Sequence, residues 1–290
     1  MQIKTRAKIN LSIDVLGKRS DGYHLVEMIM QSIDLYDIIK IEENDFNIIN
    51  IKSNSSDIPV NDDNIVYKAI KIIKDTFNIN QGINVYIEKN IPVAAGLAGG
   101  SSNCAGILVG LNKLWNLNLS NNKLKEIGLK LGADVPFCIE GGCYLAKNIG
   151  EELEPTIGLD EKLYLVVCKP EIFVSTKFIY ESLNLNDLGP RPNNKDLINL
   201  LNNKNNLDLK NSMNNVLENV ATKKYSEIED IKSIISNNNS LVTMMSGSGP
   251  TVFGIFDLIE NANKAKSELL KKYKQVYLTS SSKKGVEIIE

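Results

Sequence analysis

The sequence predicts a protein of two domains in which helices and strands are mixed. Its 290 residues could form one large domain or two ordinary ones, and two fits the usual domain size better. Segments of strand and helix periodicity follow each other through the first half. After Pro155 the chain becomes rich in Asn, Lys and Leu. We therefore predict a domain boundary near residue 153, which divides the chain into residues 1–153 and 154–290.

Five segments of the first half carry the periodicity of regular secondary structure. Strands are predicted at residues 3–13 and 33–41, which are apolar-rich, and at 83–87, where apolar and polar residues alternate. Helices are predicted at residues 64–77 and 104–115, where apolar side chains recur three and four positions apart. The first half therefore alternates between the two kinds of element.

The second half is predicted to contain further strands, helices and one rigid loop. The strands are residues 163–167, 252–256 and a last one at 276–279, which could return to either domain. Residues 193–240 carry helical stripes, and the Gly-Pro-Arg-Pro run at 189–192 predicts the loop. We attribute the many asparagines of this stretch to biased genome composition on helix surfaces.

Composition and charge exclude several classes of protein. Hydrophobic residues make up 43% and charged residues 23%, which is the balance of a globular enzyme. The net charge of −2 argues against nucleic acid, whose binders carry a basic excess. Residues 1–6 lack the apolar region of a signal peptide, and the uncharged residues 90–112 contain Pro92 and five glycines, unlike a spanning helix. We expect a cytoplasmic protein that binds neither nucleic acid nor a membrane.

The cysteines and the single histidine narrow the possible chemistry. Cys104, Cys138, Cys143 and Cys168 form no CxxC pair, so small buried side chains are favoured over zinc ligands or disulfides. His24 alone cannot supply a site that needs two imidazoles, such as HExxH. No GxSxG turn accompanies it for a Ser-His-Asp triad. Metal ligands on the protein stay unassigned.

The strongest single feature is the glycine-rich segment at residues 92–103, Pro-Val-Ala-Ala-Gly-Leu-Ala-Gly-Gly-Ser-Ser-Asn. It connects a predicted strand to a predicted helix. Glycines let the backbone approach an anion, and a helix start offers unpaired N–H groups and a positive dipole end. Ser101 and Ser102 could cap that helix or touch a phosphate-bound Mg²⁺. The segment therefore indicates a phosphate site, against the alternative of a plain glycine turn beside a small-residue helix.

This segment differs from the common nucleotide-binding loops. It lacks the lysine of GxxxxGK[ST] and the spacing of GxGxxG, so it is neither a Walker A loop nor a dinucleotide fingerprint. An HRD loop followed by DFG, as in protein kinases, is also absent from the sequence. A phosphate loop without its own lysine needs cations from elsewhere. Lys8, Lys89 and a divalent metal are the candidates.

Three motifs in order resemble those of the GHMP kinase superfamily, from residue 6 to residue 256. The first is Arg6-Ala7-Lys8-Ile9-Asn10-Leu11 and the second is the glycine-rich segment. The third is Ser246-Gly247-Ser248-Gly249-Pro250-Thr251-Val252-Phe253. Each is weak alone, whereas three in this order are specific.

Three further segments resemble one branch of the superfamily, whose acceptor is 4-diphosphocytidyl-2-C-methyl-D-erythritol. They are Lys18-Arg19-Ser20-Asp21-Gly22-Tyr23-His24, Leu131-Gly132-Ala133-Asp134-Val135-Pro136-Phe137 and Val174-Ser175-Thr176-Lys177-Phe178-Ile179-Tyr180. The resemblance implies transfer of the ATP γ-phosphate to the 2-hydroxyl of that acceptor, a step of the non-mevalonate isoprenoid pathway.

The resemblance also implies roles for individual residues. Asp134 would orient or deprotonate the attacking hydroxyl, Lys8 would stabilise the alkoxide or the phosphoryl group, and Asn10 would contact the methylerythritol. The residues implied for ATP are Pro92, Val93, Ala94, Ala95, Gly96, Leu97, Ala98, Gly99, Gly100, Ser101, Ser102, Asn64 and Lys89. Those implied for the cytosine are Tyr23, His24 and Tyr180. Phe178 is an alternative to Tyr180, because the two would share one face of a strand.

The implied fold is α+β. It has an N-terminal domain like ribosomal protein S5 domain 2, which binds ATP, and a ferredoxin-like GHMP C-terminal domain on the substrate side. ATP with Mg²⁺ would be the phosphate donor, and the protein would be a monomer or a weak homodimer. Two alternatives remain: a GHMP kinase acting on homoserine, mevalonate or a sugar, and a catalytically silent regulator. Without the resemblance, Asp134 would be a turn or cap residue, Lys8 a solvated edge residue and His24 a packing residue.

Overall fold

The computed structural model describes residues 1–289, and their strands form two sheets. The seven strands of the first sheet are β1 (Gln2–Lys18), β2 (His24–Asn44), β3 (Ile49–Ser53), β4 (Gly82–Glu88), β5 (Cys143–Lys147), β6 (Glu152–Pro155) and β11 (Val286–Ile288). Its order is β11-β1-β2-β4-β3, with β5 paired to β2 and β6 paired to β5. The β3–β4 pair is parallel and the other pairs are antiparallel.

The second sheet has four antiparallel strands in the order β10-β7-β9-β8. They are β7 (Tyr164–Lys169), β8 (Val242–Met245), β9 (Val252–Phe256) and β10 (Gln275–Thr279). The last predicted strand, at residues 276–279, is β10 and belongs to this second sheet. The chain then returns to the first sheet through β11, which the sequence did not predict. Residue 153 lies inside β6.

Helices cover or connect the two sheets. Over residues 1–289 they are α1 (Ile65–Phe77), α2 (Gly99–Leu114), α3 (Asn121–Leu129), α4 (Val135–Glu140), α5 (Thr176–Glu181), α6 (Asn194–Asn202), α7 (Leu209–Ser212), α8 (Glu218–Lys224), α9 (Ser226–Asn237) and α10 (Ile259–Leu269), with a 3₁₀ turn at Asn206–Asp208. The mixture of helices and sheets confirms the predicted α+β class. Within the described chain, no helix is both long and apolar enough to cross a bilayer.

The long hairpin of β1 and β2 is the centre of the molecule. From residue 5 to residue 15 every side chain of β1 is buried, because both faces of this strand are covered. Ala7, Ile9 and Leu11 belong to the apolar cluster that β7 and β9 also enter, whereas Ile13 and Val15 belong to the cluster under the helices. Register shifts interrupt the pairing of β1 with β2 between Arg6 and Lys8 and between Asn10 and Ser12.

Helix α2 is uncharged over most of its length because it packs closely against β1. A Cβ at Gly106 would lie 2.3 Å from a Thr5 methyl carbon, and one at Gly110 would lie 2.3 Å from the Ile3 Cδ1. These glycines therefore allow the helix axis to approach the sheet. The helix begins at Gly99, five residues before the predicted start at Cys104. Buried packing, not membrane insertion, accounts for the uncharged residues 90–112.

One predicted strand is wrong. Residues 176–181 form the short helix α5, with the Ser175 hydroxyl accepting from the Phe178 N–H at 3.3 Å as its cap. Residues two apart on a helix point in different directions, so Phe178 and Tyr180 do not share a face. Ser175 before a polar first turn was the available signal for a helix start.

Candidate active site

The glycine-rich loop at residues 92–103 enters α2 through three residues in the left-handed region. Ala94 has φ 51°, Gly96 has φ 72°, and the N-cap Ala98 has φ 56° and ψ 27°. An alanine cannot cap a helix with its side chain. Among the residues that the structure describes, no side chain therefore caps the first N–H groups of α2, which begin at Gly99. The positive end of the helix dipole and these N–H groups have the geometry that suits an anion.

Beside this helix start lies a cavity of about 430 Å³. Among its lining residues are Asn64, Lys89, Pro92, Val93, Ala94, Ala95, Gly96, Ala98, Gly99, Gly100 and Ser101. Two residues of the predicted ATP set are outside this lining. Leu97 is 1% exposed and packs in the apolar core. Ser102 is 1% exposed, and its hydroxyl donates to the Arg6 carbonyl oxygen at 2.6 Å.

The predicted capping of α2 by its serines is wrong. The N-cap is Ala98, so Ser101 and Ser102 lie inside the first turn and a half of the helix. The Ser102 hydroxyl is hydrogen-bonded to the backbone of β1. Of the two, Ser101 is the one that lines the cavity.

Asn64 and Lys89 lie at the same cavity but also hold the fold together. The Asn64 side chain caps α1 by accepting from the Val66 N–H at 2.8 Å, and its amide donates to the Pro59 carbonyl at 2.5 Å. The Lys89 ammonium is 4% exposed and forms an ion pair with Asp37, a fully buried residue of β2. Asp37 was missed by the sequence reasoning. Its one signal is a charge within the apolar segment 33–41.

The first motif and Asp134 meet at one point. The Lys8 Nζ donates to the Asn10 Oδ1 at 2.7 Å and lies 3.8 Å from the Asp134 Oδ2. Lys8 is 5% exposed and is anchored by its own N–H, which donates to the Leu97 carbonyl at 3.1 Å. It is therefore not a solvated edge residue. Asn10 is fully buried and donates to the Met28 Sδ at 3.2 Å.

Asp134 stands at the N-cap position of α4, but within the described chain its side chain makes no capping hydrogen bond. Its carboxylate is 30% exposed and shares the space of the Lys8 ammonium. A carboxylate at a helix start would ordinarily accept from the helix N–H groups. This one is left available for another donor, as a catalytic carboxylate requires.

The third motif packs directly on the glycine-rich loop. The Ser246 hydroxyl donates to the Gly96 carbonyl at 3.0 Å, and a Cβ at Gly96 would lie 2.3 Å from the Ser246 carbonyl oxygen. On the other side, a Cβ at Gly247 would lie 3.6 Å from the Asn10 Oδ1. The Asn215 amide holds this turn by donating to the Met245 and Gly247 carbonyls. The structure therefore brings the three motifs together.

A second cleft, of about 620 Å³, opens at the tip of the β1–β2 hairpin. Tyr23, His24 and Tyr180 line it, with Lys18 and Thr176. The His24 and Tyr180 rings lie 5.1 Å apart at an interplanar angle of 36°, and Tyr23 is 61% exposed. These are the three residues predicted to surround the cytosine.

Phe178 lies away from this cleft. The Lys224 Nζ sits over its ring, 3.6 Å from the centroid, in a cation–π contact. Of the two aromatic residues that the sequence left as alternatives, Tyr180 is the one that faces His24.

The two titratable rings of the cleft are shifted in opposite directions. Burial raises the pKa of the Tyr180 phenol, and the Asp134 carboxylate raises it further. Burial also lowers the pKa of His24, and the positive charge of Lys18 lowers it further. Both side chains are therefore uncharged at neutral pH. The influence of Asp134 on Tyr180 indicates that this carboxylate lies near the Tyr180 ring.

Two polar contacts that the sequence reasoning missed join distant parts of the chain. The Thr176 and Ser248 hydroxyls are hydrogen-bonded at 2.7 Å, which joins α5 to the third motif. The Arg191 guanidinium makes a bidentate contact with Asp14 of β1, at 2.9 Å for Nε to Oδ1 and 2.9 Å for Nη2 to Oδ2. The Gly-Pro-Arg-Pro run predicted the loop but not its partner, because a long-range partner has no local signal.

Among residues 1–289, no group of three or more His, Cys, Asp or Glu side chains is arranged to hold a metal ion. Mg²⁺ in phosphoryl-transfer sites keeps several waters and binds through one or two protein groups plus the substrate phosphates. Ser101, which lines the cavity, and Asp134, which lies beside Lys8, are oxygen donors of that kind. The donor set therefore fits a metal that enters with the nucleotide.

Comparison with protein families identifies the class. The family model of the GHMP kinases N terminal domain matches residues 64–142, and that of the GHMP kinases C terminal matches residues 194–275. These matches, with the assembled motifs, define a GHMP kinase fold. A crystal structure of homoserine kinase from Cytophaga hutchinsonii has a TM-score of 0.79 over 100% of this chain and 97% of that one. At a sequence identity of 19%, this structural similarity supports the fold and nothing further.

Closer relatives narrow the class. A protein of Clostridioides difficile named 4-diphosphocytidyl-2-C-methyl-D-erythritol kinase is 60% identical over 99% of this chain and 97% of its own length. One of Alkaliphilus metalliredigens with the same name is 50% identical over 97% and 96%. A crystal structure of 4-(cytidine 5'-diphospho)-2C-methyl-D-erythritol kinase has a TM-score of 0.83 and 26% identity over 97% and 99%. The chain belongs to the 4-diphosphocytidyl-2-C-methyl-D-erythritol kinase family.

Proposed function

We propose that this protein transfers the γ-phosphate of ATP to the 2-hydroxyl of 4-diphosphocytidyl-2-C-methyl-D-erythritol, in the non-mevalonate isoprenoid pathway. One observation carries the proposal. The Lys8–Asp134 pair, whose carboxylate is partly exposed, adjoins the glycine-rich loop through the Lys8 N–H on the Leu97 carbonyl, and Asp134 lies near enough to Tyr180 of the aromatic cleft to raise the pKa of its phenol. A donor and an acceptor bound in these two spaces would meet at that pair.

The glycine-rich cavity is the proposed ATP site. Its wall offers uncapped helix N–H groups to the phosphates, and Asn64 and Lys89 are among its lining residues. Leu97 and Ser102 support the loop from behind, Leu97 by its carbonyl bond from the Lys8 N–H and Ser102 by its bond to the Arg6 carbonyl. Mg²⁺ bound with ATP would neutralise the charge that develops on the transferring phosphoryl oxygens. Ser101 is the hydroxyl placed to contact it.

Lys8, Asn10 and Asp134 are the proposed catalytic group. Phosphoryl transfer depends mainly on in-line positioning and on neutralising charge. Asp134 accepts the hydrogen bond of the attacking 2-hydroxyl and orients its lone pair, and it takes the proton as the new O–P bond forms and the bond between the γ-phosphorus and the bridging oxygen of ADP breaks, which releases ADP. The Lys8 ammonium, fixed by Asn10 at 2.7 Å, stabilises the developing charge. The contact of Asn10 with the methylerythritol, which the resemblance implies, belongs to the same proposal.

The aromatic cleft is the proposed cytidine site. Cytosine has apolar faces and an edge with an amine, a ring nitrogen and a carbonyl. Tyr23 and Tyr180 supply aromatic faces, and the neutral His24 supplies an edge contact. This arrangement favours a cytidyl acceptor over homoserine, mevalonate or a sugar, none of which carries a base.

The remaining assignments belong to the same proposal. Residues 1–153 are the proposed ATP-binding domain and residues 154–290 the proposed substrate-side domain, from which β11 (Val286–Ile288) returns to the first sheet. The protein works in the cytoplasm, where ATP is available, as a monomer or weak homodimer.

A coupled assay of ADP release tests the function. The purified protein is given ATP and Mg²⁺ with 4-diphosphocytidyl-2-C-methyl-D-erythritol, homoserine, mevalonate or galactose in parallel. We expect turnover with the cytidyl acceptor and none above background with the other three. Turnover with one of the others instead would refute the acceptor assignment, and absence of turnover with all four would favour a silent regulator.

A further inference from the structure

Asp37 is a buried carboxylate that the proposed catalysis does not use. It is 0% exposed and accepts the N–H groups of Asn90 at 2.7 Å and Ile91 at 2.8 Å. It also accepts the Asn103 amide at 2.8 Å and pairs with the Lys89 ammonium. Four donors on one carboxylate satisfy the requirement that a buried charge be paired and hydrogen-bonded. The side chain therefore has one fixed position.

The Lys89 ammonium is fixed in turn. It has three N–H donors, of which one goes to Asp37 and a second points to the Asn103 Oδ1 at 3.4 Å. Lys89 lines the glycine-rich cavity, and its Nζ lies 3.1 Å from where a Cβ on Gly99 would be. Within the described chain, one N–H of the ammonium is left for a ligand in that cavity.

Asn103 closes the network. It is 3% exposed, and its amide nitrogen donates both to Asp37 and to the Thr5 hydroxyl, the latter at 3.0 Å. Thr5 lies on β1, Asp37 on β2, Lys89 just after β4, and Asn103 on α2. The network therefore joins the helix that presents the anion site to three strands of the sheet behind it. A lysine ammonium that is bound to a buried carboxylate with four donors keeps its direction better than a lysine ammonium on a flexible side chain in solvent.

We propose that Asp37 is a positioning residue for the nucleotide, which acts by holding the Lys89 ammonium against Gly99 with one N–H directed into the cavity. The proposal rests on the proposed ATP site. Because Asp37 compensates the charge of Lys89, the pair adds a directed donor to the cavity wall without adding net charge. Asn103 fixes the carboxylate from the side of α2.

The variant Asp37→Asn tests this, since it preserves shape and removes the charge. We expect the ATP dissociation constant and the KM for ATP to rise about tenfold, as for loss of a charge-assisted hydrogen bond, while the KM for the acceptor changes less than about twofold. Asp14→Asn is the matched control. Asp14 is also a buried carboxylate, 8% exposed, but it pairs with Arg191 away from the cavity. The Asp14→Asn substitution should lower the melting temperature and leave ATP binding unchanged.

A double-mutant cycle separates positioning from general stability. In a Lys89→Met background, Asp37→Asn should change the ATP dissociation constant by less than about twofold, because the group it positions is gone. A full tenfold effect retained in that background would overturn the proposal. So would a folded Asp37→Asn protein that binds ATP like the wild type.

If Asp37→Asn does not fold, Asn103→Leu decides the question. It removes one donor from Asp37 and keeps the ion pair, so ATP binding should weaken about threefold with Lys89 present and not at all in Lys89→Met. An unchanged affinity in Asn103→Leu with Lys89 present would overturn the proposal in that case. ATP binding is measured by calorimetry without acceptor. If the wild-type protein binds ATP but does not phosphorylate the cytidyl acceptor, the proposed function is refuted. The role of Asp37 in ATP binding is still decided by the calorimetry of its variants.

Discussion

The two binding spaces of this molecule are built in opposite ways. The glycine-rich cavity is lined largely by backbone and small residues, and two of its polar side chains already have internal partners: Asn64 caps α1, and Lys89 pairs with Asp37. The aromatic cleft is lined by projecting side chains, among them Tyr23 at 61% exposure. Under the proposed function, phosphate recognition therefore depends on backbone shape, whereas acceptor recognition depends on the identity of a few side chains.

The largest expected effect lies between the two spaces. Asp134→Asn should lower kcat by about 10² or more, the scale of a lost catalytic carboxylate, and leave the KM for ATP nearly unchanged. The Asn side chain keeps the size and cannot accept the proton of the acceptor hydroxyl. Steady-state kinetics on the folded variant measures kcat and the KM for ATP, and ATP calorimetry is the internal control. Turnover like that of the wild type would remove Asp134 from the mechanism.

The next effect sharpens the cleft side of the comparison. Tyr180→Ala should raise the KM for the cytidyl acceptor about 5- to 100-fold, because stacking on a base is worth roughly 1–3 kcal/mol. The KM for ATP should not change. Phe178→Ala is the matched control, since its ring contacts Lys224 and not the cleft. If both substitutions raised the KM for the acceptor equally, or if neither raised it, the orientation of α5 would be contradicted.

The cavity side responds to glycine substitution. Gly99→Val should weaken ATP binding about tenfold, within the 1–3 kcal/mol that overpacking costs, because its Cβ would lie 3.1 Å from the Lys89 Nζ and 3.0 Å from an Ile91 methyl carbon. Calorimetry measures the affinity.

Gly110→Ala is a control in the same helix. Its Cβ would meet Ile3 in the core, so it should lower the melting temperature without altering ATP affinity. An unchanged ATP affinity in folded Gly99→Val would mean that the loop does not shape the site.

The sequence predicted the elements with strong local patterns. Alternation at residues 83–87 and helical spacing at 64–77 correspond to β4 and α1 within one residue at each end. The glycine-rich loop was visible for the same reason, since glycine, proline and serine punctuate a chain locally. The start of α2 was missed because Gly99, Gly100, Ser101 and Ser102 weaken an apolar pattern.

Long-range partners could not be predicted in this way. Asp37 lies 52 positions before Lys89, and Arg191 lies 177 positions after Asp14. Strand β11 has three residues, too few for a periodicity, and forms because β1 leaves an edge free for it. Helix α5, at six residues, is also shorter than the pattern needs, so its sequence resembled a strand.

The smallest expected effect concerns the pH dependence of the cleft. The pKa of His24 is lowered from 6.5, first by burial and then by Lys18, so the ring is neutral at pH 7 and above. If the neutral ring makes the edge contact with cytosine, the KM for the acceptor should be flat above pH 7. It should rise about 2- to 10-fold, the scale of one hydrogen bond, as the pH falls through that lowered pKa.

Lys18→Gln sharpens this dependence, because Lys18 is the second cause of the shift. Without its charge the pKa of His24 moves up toward 6.5, so the rise in KM should begin at a higher pH than in the wild type. The KM for ATP, measured in the same runs, should show no such shift, since the cavity contains no histidine among its described lining residues. His24→Asn should abolish the acid rise altogether. An acid rise that survives in His24→Asn would assign it to another group and would remove His24 from the recognition of the base.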